Sequence, residues 1–261
     1  MKRVGARFAF ACVASALLLS AAGCARVPEP GVRVTSKTGA GTTDAPASAE
    51  VSARKGALVR LAHTVPGLAA VDLFAGDAKA FENAAYKSAT AYRELPSAKQ
   101  VLRVRLAGQD SAEPLAEASE SFTAGGHHTL VAVPARGMFA KAGGAELRLV
   151  ADDFEAPAAG KAKVRVFNAS PDLDEVDLYV TGRAEPVVKG AKFGAATRFA
   201  EADPADAGLE VRRAGENITT LSVPALRLEA GGLYTLFVVG GTKGTAKLEA
   251  FVVEDRLAPA P

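Results

Sequence analysis

Ser170-Pro171-Asp172-Leu173-Asp174-Glu175-Val176-Asp177 gathers one hydroxyl and four carboxylates into eight residues, the densest set of chemistry-bearing side chains in the sequence. Two chemistries fit those types. Oxygen ligands in number suit a hard cation such as Ca²⁺, and Ser170 with His127 or His128 as its base would suit a hydrolase. The spacing supports neither. An EF-hand loop needs a central glycine and a terminal glutamate, which are absent, and Ser170 lacks the Gly-x-Ser-x-Gly elbow. His127 and His128 are successive residues of a predicted strand and face opposite sides, so they do not share one ion. The reading expected here is a turn around Pro171 capped by Ser170 and Asp172. Ser170, Asp172, Asp174 and Asp177 are retained as a candidate loop site for Ca²⁺ or carbohydrate. No catalytic residue, metal ligand or cofactor is assigned, and a mature chain with Cys24 as its one cysteine beside His63, His127 and His128 excludes a structural zinc site of the Cys/His kind.

The second chemical position is Cys24. Lys2, Arg3 and Arg7 precede fifteen uncharged residues, Phe8 to Ala22, the layout of an export signal. As a helix that run would rise about 22 Å, short of the roughly 30 Å hydrocarbon core. Ser20-Ala21-Ala22-Gly23-Cys24 resembles the lipobox of bacterial lipoproteins, departing from it at Ala21, where leucine is commonest. The resemblance implies cleavage before Cys24 and a lipid on its sulfur, which would make the membrane a partner. Cys12 falls in the removed segment, so the mature chain keeps one cysteine and no internal disulfide. The formal +2 of the whole chain less the three basic residues of the signal leaves −1. Nothing in that balance suggests nucleic acid. Ala25 stands where an aspartate would signal inner-membrane retention, so the outer membrane is favoured in a Gram-negative host.

These positions hang on a simple organisation. Residues 1–23 are the signal. Residues 24–56 hold the lipidated cysteine and a Pro/Gly/Ser/Thr/Ala-rich tether without aromatics, expected to be a disordered coil spanning roughly 30 Å. Beyond it the chain repeats itself. "ALVRLAHTVPGLAAVDLF" (57–74) and "AKVRVFNASPDLDEVDLY" (162–179) share eight of eighteen positions. The likeness continues in "AAYKSATAY" against "AKFGAATRF", "LRVRLAG" against "LEVRRAG", and "TAGGHHTLVAV" against "EAGGLYTLFVV". The predicted units are 57–154 and 162–256, with a linker at 155–161, which implies limited freedom about one joint, and a tail at 257–261.

Period-two alternation, as in Val164 and Val166 against Arg165 and Phe167, argues strands, and Gly, Pro, Asn and Asp punctuate the chain every eight to twelve residues. The predicted fold is all-β, two tandem immunoglobulin-like β-sandwich domains. A hairpin centred on Pro171 would set Arg165 opposite Asp177, and one centred on Pro66 would set Arg60 opposite Asp72. Both pairs are expected to be cross-strand ion pairs.

"VRVFNASPDLDEVDLYVTG" (164–182) resembles the domain of unknown function 4397 family. The second copy keeps Asn168, Ala169, Ser170, Pro171, Asp172, Val176, Asp177 and Tyr179. The first keeps His63, Pro66, Val71 and Asp72, with Val65 and Gly67 in place of the serine and aspartate. The resemblance covers about 57–255 and implies a bacterial secreted or surface protein, often with tandem copies, and no agreed activity. The function expected is therefore that of a non-enzymatic, lipid-anchored cell-envelope protein, a scaffold or binding module for a polysaccharide or protein. Tyr92, Tyr179 and Phe199 are its possible aromatic contacts or core residues.

Overall fold

The computed structural model describes residues 33–35, 55–137, 144–241 and 246–256. The expected signal, Cys24 and the 257–261 tail lie outside the described residues. Strand β1 (Arg33–Thr35) comes from within the expected tether. The first repeat supplies β2 (Gly56–His63), β3 (Ala70–Ala75), β4 (Ala78–Ala85), β5 (Ser88–Ala89), β6 (Arg93–Pro96), β7 (Gln100–Leu106), β8 (Ala116–Glu120), β9 (His127–Pro134) and β10 (Ala145–Ala151). The second supplies β11 (Ala162–Asn168), β12 (Glu175–Val180), β13 (Pro186–Lys192), β14 (Ala200–Ala202), β15 (Ala205–Arg213), β16 (Thr219–Leu228), β17 (Gly232–Val239) and β18 (Glu249–Arg256).

Each repeat is a two-sheet sandwich, as the alternation predicts. In the first, the sheet β4-β3-β7-β8 faces the sheet β10-β9-β2, which β5 and β6 extend by pairing with β2. Val59, Leu61, Val71, Leu73, Leu102, Val104 and Leu130 fill the space between them. In the second, β13-β12-β15-β16 faces β18-β17-β11-β14 over Val164, Val166, Val176, Leu178, Leu209, Val211 and Leu236. The opening strand of each repeat lies inside its sheet and runs parallel to a late one, β2 to β9 and β11 to β17. This order differs from the immunoglobulin arrangement, in which antiparallel strands make up both sheets.

The two sandwiches are not loosely jointed. Ala62, Val131 and Val133 from one inner sheet pack on Phe167, Phe237, Val239, Phe251 and Val253 from the other, forming a third buried cluster between the repeats. Phe237 stacks on Phe251 at 4.8 Å between centroids, and Phe167 leans on Phe237 at 5.6 Å. For this reason β11 and β17 are buried along their whole length, on both faces. Strands covered on both sides carry apolar residues at successive positions, and Val166-Phe167 and Leu236-Phe237-Val238-Val239 do so.

The expected hairpins do not form. β2 and β3 belong to different sheets, as do β11 and β12, so Arg60 does not face Asp72 and Arg165 does not face Asp177. The six residues between the strands in each copy carry the chain across the sandwich instead of folding it back. The tether also departs from a free coil. Residues 33–35 pair in parallel with β18, Arg33 with Val252, Val34 with Val253 and Thr35 with Glu254. An open sheet edge offers unpaired amides and carbonyls to any extended segment within reach.

Candidate functional site

The seam between the sandwiches holds the most elaborate polar assembly among the described residues, and it is built twice from equivalent positions. Arg60 on β2 stands beside Thr129 on β9, and its Nε donates to the Thr129 hydroxyl at 2.8 Å. Its two terminal nitrogens donate to both oxygens of Asp255, in the other repeat, each at 2.9 Å. Arg165 on β11 stands beside Thr235 on β17, donates to its hydroxyl at 2.9 Å, and pairs with Asp152 of the first repeat. Each repeat therefore gives an arginine to the other's carboxylate. This is the reciprocity of a two-fold interface, made here within one chain.

The arginines also stack at equivalent places, Arg60 over Tyr92 at 4.6 Å and Arg165 over Phe199 at 4.5 Å. Asp152 is the better served carboxylate. It accepts from Arg165, from the Thr129 hydroxyl at 2.6 Å and from the Tyr92 hydroxyl at 2.7 Å. Burial would raise its pKa, yet the charges of Arg165 and Arg60 and the Thr129 hydroxyl hold it below the usual carboxylate range. Burial pushes Tyr92 far up, so its phenol stays protonated and donates. Arg60 is raised despite its burial, because Tyr92, Asp255 and Asp152 surround it. Both arginines stand out in the sequence as paired charges, while their partners do not. Asp152 and Asp255 sit in the aligned endings of the two copies, and Thr129 and Thr235 in the aligned strands that follow the glycine turns, so the repeat itself carried the signal.

Beside this network a cleft of about 730 Å³ opens along the seam. Leu149, Val150 and Ala151 of β10 form one wall, and Thr197, Arg198 and Phe199 of the second repeat form the other. His127 and Phe154 join the aromatic group next to it, His127 lying 5.4 Å from Tyr92 and 5.3 Å from Phe154.

The aspartates of the expected ion pairs have other work. Asp72 accepts the amides of Asn83 at 2.7 Å and Gly108 at 3.1 Å, and the Lys79 ammonium at 3.0 Å. Burial opposes its charge, and those donors hold its pKa down. Asp177 accepts the amide of Gly190 at 2.8 Å. Asn83 and Gly190 both have positive φ, 51° and 71°, and both lie where the ladder to β3 or β12 slips register. A bulge leaves an amide without a strand partner. The aspartate of each Val-Asp-Leu motif satisfies it.

The loop candidates do not converge. Ser170 is fully buried, and its hydroxyl donates to Asp172 at 2.9 Å. Asp174 pairs with Arg136, and Asp177 is turned to its bulge. Among the described residues no three His, Cys, Asp or Glu side chains come together as a metal site. His128 is a core residue and not strand surface, its Nε2 accepting the Thr123 amide at 3.1 Å. The serine and histidine of a hydrolase are not brought together. The turn is capped by Asn168, whose carboxamide accepts the Ser170 amide at 3.0 Å and donates to the Leu173 carbonyl at 2.8 Å.

Comparison with known proteins follows the repeat. The family model described as domain of unknown function 4397 matches residues 57–179 and 162–261. No curated protein matches the chain. Among solved structures, a family-26 carbohydrate-binding module from Eubacterium rectale in complex with maltoheptaose is 10% identical, covering 78% of this chain and 97% of that one with a TM-score of 0.25. A candidate cell-adhesion protein from Bacteroides eggerthii is 11% identical over 78% of this chain and 96% of its own, with a TM-score of 0.20. Another from Bacteroides fragilis is 9% identical over 76% and 96%, with a TM-score of 0.18. At such scores these likenesses say nothing specific about the chemistry of this chain.

Proposed function

The chain belongs to the domain of unknown function 4397 family, and from that premise and the interlocked repeats we propose that it is a lipid-anchored cell-envelope protein acting as a non-enzymatic binding module. The observation that carries this reading is the reciprocal pairing of Arg60 with Asp255 and Arg165 with Asp152. It joins two sandwiches into one head and leaves a fixed cleft at their seam, a surface suited to holding a partner in place. Arg165, which lines that cleft, and the other three charges of the seam are spent on each other, which suits recognition better than turnover. Cys24 supplies the anchor, in the outer membrane of a Gram-negative host, and an envelope polysaccharide or protein is the partner.

The test has two parts. Intact mass of the membrane-extracted protein should exceed that of the chain cut before Cys24 by a diacylglycerol-sized increment, and a Cys24→Ser version should lose the increment and leave the membrane. The Cys24→Ser head should then be retained on washed envelopes in a saturable way. An unlipidated membrane-extracted chain would overturn the anchor, and a head that washes off at every concentration would overturn the binding role.

A further inference from the structure

The two inner sheets end alike and are finished differently. Leu149 on β10 faces Leu130, and Val252 on β18 faces Leu236. Leu130 and Leu236 are matched positions of the repeat, so residues 149–151 are the counterparts of 252–254. The latter are the three residues that β1 covers. The former border the seam cleft, and β10 ends its sheet with no strand on its outer side among the described residues.

The free side of β10 has its donors in place. The Asp152 amide points inward to the His127 carbonyl at 2.8 Å, while the Ala145 amide points outward to the Leu115 carbonyl at 3.3 Å. Alternation by two then turns the amides and carbonyls of Leu149 and Ala151 into the cleft. One counterpart edge is filled by a parallel extended segment, and the other faces an opening that the second repeat walls on its far side.

We propose that the Leu149–Ala151 edge accepts an extended segment of another polypeptide, running parallel to β10 within the seam cleft. This deepens the binding-module reading and rests on it. The segment of this chain that suits such an edge, Arg33–Thr35, is already held on β18. A second copy would uncover its own β18 edge in lending that strand, so it would gain no pairing. A foreign segment adds a ladder at no such cost, as in recognition by strand addition. Its backbone supplies the hydrogen bonds, and its alternate side chains meet Val150 and Phe199.

A labelled peptide with the sequence of residues 30–38, PGVRVTSKT, is the probe, because its core is a strand that the counterpart edge takes. Titrated with the full chain in detergent, it should bind saturably and slow amide exchange at Leu149 and Ala151. Ala151→Pro removes an outward amide and leaves the β9 ladder intact, and should weaken binding about tenfold or more. Exchange measured on the unsubstituted chain stands even if that variant folds poorly. Protection appearing at 252–254 instead, or no binding at millimolar peptide, would overturn the proposal. So would concentration-dependent self-association that Ala151→Pro abolishes, since the occupant would then be a second copy. Envelope retention of the Cys24→Ser head is a separate measurement, so failure here would leave the binding role standing.

Discussion

The two repeats perform the same structural tasks with different side chains. Where the first strand ends, His63 in the first copy and Asn168 in the second each take the amide two residues on and reach the carbonyl five residues on. The partners are Val65 and Leu68 for the histidine, Ser170 and Leu173 for the asparagine. His128 and Tyr234 each accept the amide five residues back, from Thr123 and Glu229. Tyr92 and Phe199 each lie under an arginine, but the tyrosine alone has a hydroxyl for a carboxylate. The pattern of donors and acceptors is what the fold requires, and residue identity is free wherever another side chain presents the same atoms. The exceptions, where one copy has a group that the other lacks, are where the repeats should respond differently.

The largest effect is expected at Asp152. Its side chain is wholly buried, and its loss strands Arg165 while removing an acceptor from Thr129 and Tyr92. Breaking a buried pair from one side costs about 3–5 kcal/mol, so Asp152→Ala should lower the urea midpoint by that equivalent. Asp255→Ala should fall toward the lower end, because its side chain is 11% exposed and Arg60 still has Asp152 nearby. Equal losses would show that the extra bonds to Asp152 add nothing.

Asp72 and Asp177 come next. Asp72→Ala would take the carboxylate from the amides of Asn83 and Gly108, both on exposed residues, at about 1–3 kcal/mol in total, against about 0.5–1.5 kcal/mol for Asp177→Ala, which costs the Gly190 amide its acceptor. Thermal unfolding of the two variants side by side checks the ratio. If Asp177→Ala were the costlier, capping of the bulge would not be the main role of these residues.

Much of this architecture was legible in the sequence. The offset repeat and the alternation of Val164 and Val166 with Arg165 and Phe167 lead to paired sandwiches. The alternation cannot say whether two such strands are neighbours in one sheet or face each other across a core, since both arrangements put Val164, Val166, Val176 and Leu178 on a common side. Six intervening residues favoured the crossing, because most hairpin loops are shorter. The seam was hidden for a related reason. Arg60 and Arg165 read as the solvent face of a half-buried strand, and only a second sheet packed on that face makes them buried. Their carboxylates lie 195 residues from Arg60 and 13 from Arg165, and no local pattern links those positions.

His63 separates the repeats by pH. Burial lowers its pKa from 6.5 to about 4, against the bond to the Leu68 carbonyl, which acts to raise it; the neutral ring donates from Nε2 to Leu68 and leaves Nδ1 to accept from Val65. Protonation would set two donors against each other there. The folded value lies below the unfolded one, so this stability is complete above about pH 6.5 and is lost as pH falls toward 4, roughly 2 kcal/mol of it between pH 7 and 5. His63→Asn copies the second repeat. It should match the parent at pH 7 and hold its urea midpoint better at pH 5, and parallel pH profiles would contradict the assignment.

Tyr92→Phe makes the first copy resemble the second at its aromatic platform and should have the smallest effect, about 1 kcal/mol. The stacking over Arg60 survives, as Phe199 under Arg165 shows it can. What goes is one hydroxyl donor to a carboxylate that keeps Arg165 and Thr129. A hydrogen bond to a charged group is worth about 1.5–3 kcal/mol when its loss leaves the charge unserved, and two remaining donors reduce that. The informative readout is the double variant with Asp152→Asn. If the Tyr92 hydroxyl acts through the carboxylate's charge, removing it should cost less once Asp152 is neutral. Strict additivity of the two substitutions would place the hydroxyl's contribution elsewhere, in the packing of Tyr92 against His127 and Phe154.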